Sequence, residues 1–188
     1  MILTIYATLT LLTAIASFLV GGFIIVKRFR NPLTRIWFFL CFTIGGWNLG
    51  YYFTMLENTS KDLALLASRI SHANGILITV LYFHFALIFL KLMSQEKRQL
   101  ILAYLSCSVL AFLSLTRFIV TDLVPKLSLP YYPVGKIGYV IYVTVFIYWV
   151  IYAHYLMFEN YRRLTGYERN KLKYFLTGTV VGFTGGAT

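Results

Sequence analysis

The chain has 188 residues, 59% of them hydrophobic and 18% aromatic, with a mean hydropathy of +0.74 and only 12% charged. A soluble domain is about a quarter charged, so a water-facing fold built around this much apolar surface is excluded and lipid becomes the natural solvent. The net charge of +11 does not indicate nucleic acid, because the basic residues fall between long apolar runs rather than on one face of a soluble module.

The first apolar run, 2–26, carries no charge and its 25 residues exceed the ~20 needed to cross a bilayer. A cleaved signal peptide opens with a basic stretch, whereas the first basic residue here is Lys27, so the run reads as a retained helix. Further apolar runs cover 36–56, 63–90, 100–120 and 137–158, separated by polar connections such as Asn31-Pro32 and Pro130 to Gly135. Backbone groups in hydrocarbon must be satisfied within their own element, so runs of this length predict helices. A last apolar segment, 174–188, is too short to span upright. It reads either as re-entrant or, as we expect, as a sixth helix cut short at the C-terminus. The expected fold is therefore all-α: a polytopic transmembrane bundle of five full helices plus a partial sixth, with 1–188 as one membrane-embedded region.

Orientation follows from the basic residues. Twelve of the 17 lie after the first, third and fifth runs, among them Lys27, Arg35, Lys97, Arg98, Arg163 and Lys173. The alternate connections hold only Lys61, Lys126 and Lys136. The positive-inside rule then places the N-terminus outside.

No catalytic constellation stands out. His72, His84 and His154 form no ligand pair, and no metal site is expected. All six acidic residues fall in connections or at helix ends, which weakens a proton-coupled transporter. Cys41 and Cys107 sit inside apolar runs without metal-like spacing and read as small core side chains. No cofactor is expected; a covalently bound retinal would need an intramembrane lysine, and none is visible.

Two cations do lie within helices. Arg69 is about two turns into the third run, with His72 on the same face at i+3. Two readings of Arg69 stand: lining an outward-facing ligand pocket, or pairing with a carbonyl or neighbouring helix. Arg117, near the outer end of the fourth run, reads as snorkelling to the headgroups or as part of the same site. Asn48 and Asn74 lie at similar depths and are expected to bond across the helix interface, a packing role first and a signalling one second. Tyr148, Tyr152 and Tyr155 form a stripe that reads as helix packing. Gly178, Gly182 and Gly186 make a smooth ridge that allows close approach of another helix, in this chain or a second subunit.

The run Arg169-Asn170-Lys171-Leu172-Lys173-Tyr174, with Gly178, Gly182-Phe183 and Gly185-Gly186 beyond it, resembles the entry to the sixth helix of the N-terminal seven-transmembrane region of bacterial histidine kinases. Trp47, a helix-packing position, and the third run from Arg69 through Phe83-His84-Phe85 fit the same region. The resemblance implies a sensory input region of a two-component protein in the bacterial inner membrane, in contact with the lipid bilayer and followed in a parent chain by cytoplasmic signalling domains. It also implies a homodimer, with which the glycine ridge is compatible. Kinase activity would belong to that parent, not to these residues. Arg69, His72, Arg117, Asn48 and Asn74 are the expected signal-sensing residues. The competing readings are a fragment of a transporter or permease, against which stand the lack of an internal repeat and of proline-broken runs, and a membrane-embedded enzyme, against which stands the lack of catalytic groups.

Overall fold

A computed structural model describes residues 2–185. Six helices and one hairpin follow in the order α1 (Ile2–Arg28), α2 (Pro32–Met55), α3 (Lys61–Phe89), α4 (Lys97–Ser114), β1 (Asp122–Lys126), β2 (Leu129–Val134), α5 (Ile137–Arg163) and α6 (Gly166–Gly185). The α1–α2 turn is set by Asn31, whose side chain accepts the Leu33 N–H at 2.9 Å, and by Pro32, whose missing donor costs nothing at the first helical position. Ser60 caps α3 in the same way. At its other end Lys91 turns into the left-handed region at φ 59° while the Leu92 N–H reaches back to the Leu87 carbonyl.

α3 is the hub. It packs against α2, α4, α5 and both strands, and Ile76, Val80, Phe83, Ala86 and Leu87 on it are fully buried. Among the described residues α1 leans chiefly on α2, with Gly45 of α2 making room for the Phe18 ring. Its other faces expose Leu9, Leu12, Leu19 and Phe23, as a lipid-facing helix does. α6 packs on α5 and sends Phe175 and Phe183 to rings of α3.

The polytopic helical bundle agrees with the sequence, but the count of spans does not follow. Among the described residues three helices, α1, α3 and α5, are long and apolar enough to cross a membrane by length and composition. The expected fourth span, 100–120, is the clearest departure, because α4 stops at Ser114 after 18 residues. That is ~27 Å of helix, short of the ~30 Å hydrocarbon core. It ends because Thr116 takes over the local bonding: its hydroxyl donates to the Leu113 carbonyl and accepts the Phe118 N–H, a turn that competes with the helix. The apolar residues beyond it, Ile119 and Val120, are fully buried but not helical. The sixth helix also differs: it begins at Gly166, at φ +57°, rather than at Tyr174, so its first half is charged.

The connection 121–136, read from the sequence as a polar connection with turn residues from Pro130 to Gly135, contains an antiparallel hairpin. Asp122 pairs with Val134, Leu123 with Pro133, Val124 with Tyr132 and Lys126 with Leu129, with a bulge at Pro125. Three prolines are tolerated because a two-stranded ladder consists of edges only. The hairpin lies against α2 and α3 and closes one end of the bundle, here called the hairpin end; the opposite, basic end carries the α1–α2, α3–α4 and α5–α6 turns.

Candidate functional site

At the hairpin end the polar side chains of α3 bond to backbone atoms of its neighbours. Half-buried Arg69 donates from Nε and Nη2 to the Val120 carbonyl, at 3.4 and 3.2 Å. Of the two readings of Arg69, this is the pairing with a carbonyl. Ser71 Oγ donates to the Trp47 carbonyl of α2 at 2.8 Å, and Tyr142 of α5 donates to the His72 carbonyl at 2.9 Å. These approaches need glycine twice: a Cβ at Gly50 would stand 2.7 Å from the Ala67 carbonyl oxygen, and one at Gly75 would stand 2.6 Å from the Tyr142 hydroxyl.

His72 is buried, its Nδ1 donating to the Ser68 carbonyl at 2.7 Å. A carbonyl only accepts, so Nδ1 carries the proton and Nε2 of the neutral ring is an acceptor. The Tyr139 ring meets the imidazole edge-on at 5.9 Å. Tyr51, Thr54, Ser68, Ser71, His72 and Pro133 line a narrow crevice with room for about one water. Pro133 belongs to β2, so the hairpin is one wall of it. The hairpin is tied down by the Tyr131 hydroxyl, which donates to the Thr59 carbonyl at 2.5 Å, and by the exposed Lys61–Asp122 ion pair at 2.8 Å. The bonded Lys61 ammonium, with the Leu123 N–H, holds the Asp122 carboxyl below the usual carboxylate range.

The other expected sensing residues do not converge on this crevice. Arg117 is exposed in the turn after α4, where its charge acts on Asp122. Asn48 and Asn74 do not bond to each other: each amide donates to its own helix, to the Ile44 and Ile70 carbonyls at 2.9 Å. Asn74 instead lies over Gly46, where a Cβ would stand 2.9 Å from its amide, so backbone-to-side-chain packing has replaced the expected pair. Trp47 is half-buried against the core and edge-on to Tyr51 at 5.4 Å. A Cβ at Gly178 or Gly182 would meet nothing within 4 Å, so the ridge makes no close approach among the described residues; Gly186 lies outside them.

A second polar cluster, toward the basic end, went unread in the sequence. Tyr82 of α3 places its hydroxyl 3.2 Å from His154 Nε2 of α5 and 3.1 Å from Thr179 Oγ1 of α6. Two residues along α3, on another face of the helix, His84 Nδ1 meets the Tyr104 hydroxyl of α4 at 2.7 Å. Tyr152 donates to Glu96 at 2.9 Å, and Trp149 donates to Ser106 at 3.1 Å. Thr79, between the two clusters, buries its hydroxyl without a partner. The tyrosine stripe expected to pack helices stacks along its own helix instead, Tyr148 on Tyr152 and Tyr152 on Tyr155, with Tyr148 and Tyr155 exposed.

No curated protein and no solved structure matches the chain. A family model does, over residues 9–188, nearly the whole length. The membrane helices and the buried polar α3 are thus those of a chain that belongs to the family described as the N-terminal 7TM region of histidine kinase.

Proposed function

We propose that this chain is the signal-input region of a two-component sensor in the bacterial inner membrane, with its N-terminus and hairpin outside. The family carries the sensor part of this reading, and the distribution of basic residues carries the orientation. In this arrangement α1, α2, α3, α4 with its buried 119–120 extension, and α5 cross the bilayer, and α6 enters it from the basic side. The parent protein works as a homodimer with cytoplasmic kinase domains beyond the seven-helix region.

The observation that supports the hairpin end as the input site is the fan of bonds from α3. Arg69, Ser71 and His72 sit within one turn, and they tie α3 to Val120, to α2 and to α5 respectively. A stimulus that displaces the hairpin or enters the crevice therefore acts on three neighbours of the hub at once. Arg117, Asn48 and Asn74 are peripheral to it, modulating the hairpin charge and the α2–α3 packing. Two arrangements of close free energy, one favoured by the stimulus, are all the mechanism requires.

The test is Arg69→Met in the parent kinase, with autophosphorylation measured in native membranes. The expected result is an output locked high or low and insensitive to conditions that change it in the wild type. An unaltered response would remove the hairpin end as the input site.

A further inference from the structure

α6 is held to the bundle along one face, formed by Leu172, Phe175, Leu176, Thr179 and Phe183, spaced so that they line up on a helix. Phe175 packs with its ring tilted against Phe85 at 4.9 Å, and Phe183 meets the Tyr82 ring edge-on at 5.0 Å. Thr179, midway between the two phenylalanines, is the polar centre of that face. Its Oγ1 lies 3.1 Å from the Tyr82 hydroxyl, 3.4 Å from His154 Nε2 and 3.1 Å from the Leu176 carbonyl of its own helix.

The direction of the bonds follows from His154. Its Nδ1 lies 2.8 Å from the Val150 carbonyl, which only accepts, so Nδ1 carries the proton and Nε2 of the neutral ring must receive one. Two hydroxyls compete to supply it, and each has a second acceptor within reach. In one arrangement Tyr82 donates to His154 and Thr179 donates to Leu176; α3 and α5 are then bonded to each other and α6 satisfies itself. In the other, Tyr82 donates to Thr179 and Thr179 donates to His154, so that α6 is bonded between α3 and α5. Both satisfy every donor, and they differ only by rotation of two hydroxyls.

We propose that Tyr82, His154 and Thr179 form a two-state hydrogen-bond latch that ties α6 to α3 and α5 in one arrangement and frees it in the other. Its role in signalling rests on the sensor reading above: a shift between α3 and α5, whose other ends meet at His72 and Tyr142, changes the Tyr82–His154 separation and selects the arrangement. The latch itself is a property of these three side chains and stands or falls without any kinase output.

The experiment is amide hydrogen exchange across residues 172–183 of the full chain in phosphatidylethanolamine–phosphatidylglycerol vesicles. Thr179→Val keeps the shape but removes the tied arrangement, and raises exchange in α6 about fivefold with α3 and α5 unchanged. Thr179→Ser keeps the hydroxyl and stays within about twofold of the wild type. Tyr82→Phe deletes the Tyr82–Thr179 bond of the tied arrangement but also removes the competing donor, so Thr179 alone serves His154, α6 stays bonded to α5, and its exchange slows about threefold. Opposite signs for Thr179→Val and Tyr82→Phe cannot come from loss of packing. Faster exchange in both, or equal exchange in Thr179→Val and Thr179→Ser, overturns the latch. A latch that passes this test in a parent kinase whose response Arg69→Met leaves unaltered would stand while the hairpin end fell as the input site.

Discussion

Toward the hairpin end, α3 makes its cross-helix bonds at carbonyl groups: Arg69 at Val120, Ser71 at Trp47, and Tyr142 reaching the carbonyl of His72. Toward the basic end it makes them at side chains: Tyr82 with His154 and Thr179, His84 with Tyr104. A carbonyl in a helix or turn cannot move without its element, so the first kind of contact transmits displacement rigidly. A hydroxyl or imidazole can exchange partners at little cost, so the second kind can switch. One helix thus carries a clamp at one end and an adjustable joint at the other. The division fits the signal-input reading proposed above.

Variants can break or sharpen that contrast, and the largest effect is expected where the clamp is most rigid. A Cβ at Gly138, in the first turn of α5, would stand 2.1 Å from the Phe118 carbonyl oxygen and 2.7 Å from its ring. The obstacle is backbone, so Gly138→Val must push α5 away from the end of α4. We expect a loss of about 3 kcal/mol, at the upper end of overpacking costs, measured by equilibrium unfolding in mixed micelles. A loss below about 1 kcal/mol would mean that the hairpin end yields, and the contrast with the basic end would disappear.

Arg69→Met comes next. It removes two charge-assisted bonds and leaves the Val120 carbonyl without them, for an expected cost of about 2 kcal/mol in the same assay. Arg69→Lys should recover little of this. A lysine offers a single ammonium where the guanidinium reaches one oxygen through both Nε and Nη2.

These residues also show how far the sequence could be read. Apolar runs placed the helices, and the spacing of Arg69 and His72 put them on one face of α3, where they are. A carbonyl partner for Arg69 was among the readings, but nothing in a single sequence could name Val120, 51 residues away. The hairpin was missed because Pro125, Pro130 and Pro133 look like loop residues, and only the paired register shows that they occupy edges. The end of α4 was misplaced because hydropathy continues through Ile119 and Val120 while the hydroxyl of Thr116 ends the helix. Tyr82 and Thr179 are 97 residues apart and each looks ordinary in its own run, so the cluster toward the basic end had no local signal at all. Asn48 and Asn74 failed for the opposite reason. Their depths matched, but an amide on a helix can always turn back to its own i−4 carbonyl, and both do.

Between clamp and joint lies Thr79, whose buried hydroxyl bonds to nothing. Thr79→Val deletes that unsatisfied group and keeps the shape. The expected result is a gain of about 1 kcal/mol, seen as a later unfolding transition. The gain should appear without any change in α6 exchange, because Thr79 is no part of the latch. If α6 exchange shifts as well, Thr79 takes a partner in one of the two arrangements and the joint extends further along α3.

The smallest effect belongs to the hairpin charge pair. Asp122 titrates below its unfolded value because Lys61 is bonded to it, so the ionised form is favoured in the fold. A depressed carboxylate contributes stability that is present above the unfolded value of about 3.9 and is lost as pH falls through the lower folded one. Between neutral pH and about 5 the pair therefore adds no pH dependence, and below about 4 the hairpin loosens. Both partners are half exposed, so salt screens the pair and the change is slight. Amide exchange of residues 122–134 between pH 5 and 3, in wild type and in Lys61→Met, measures it. The wild type should lose protection over that range and the variant should start lower and change less. Equal slopes would show that Tyr131 on Thr59 and Arg69 on Val120 hold the hairpin without help from charge. The clamp would then be a matter of backbone acceptors alone, and the contrast between the two ends of α3 would be sharper than the ion pair makes it look.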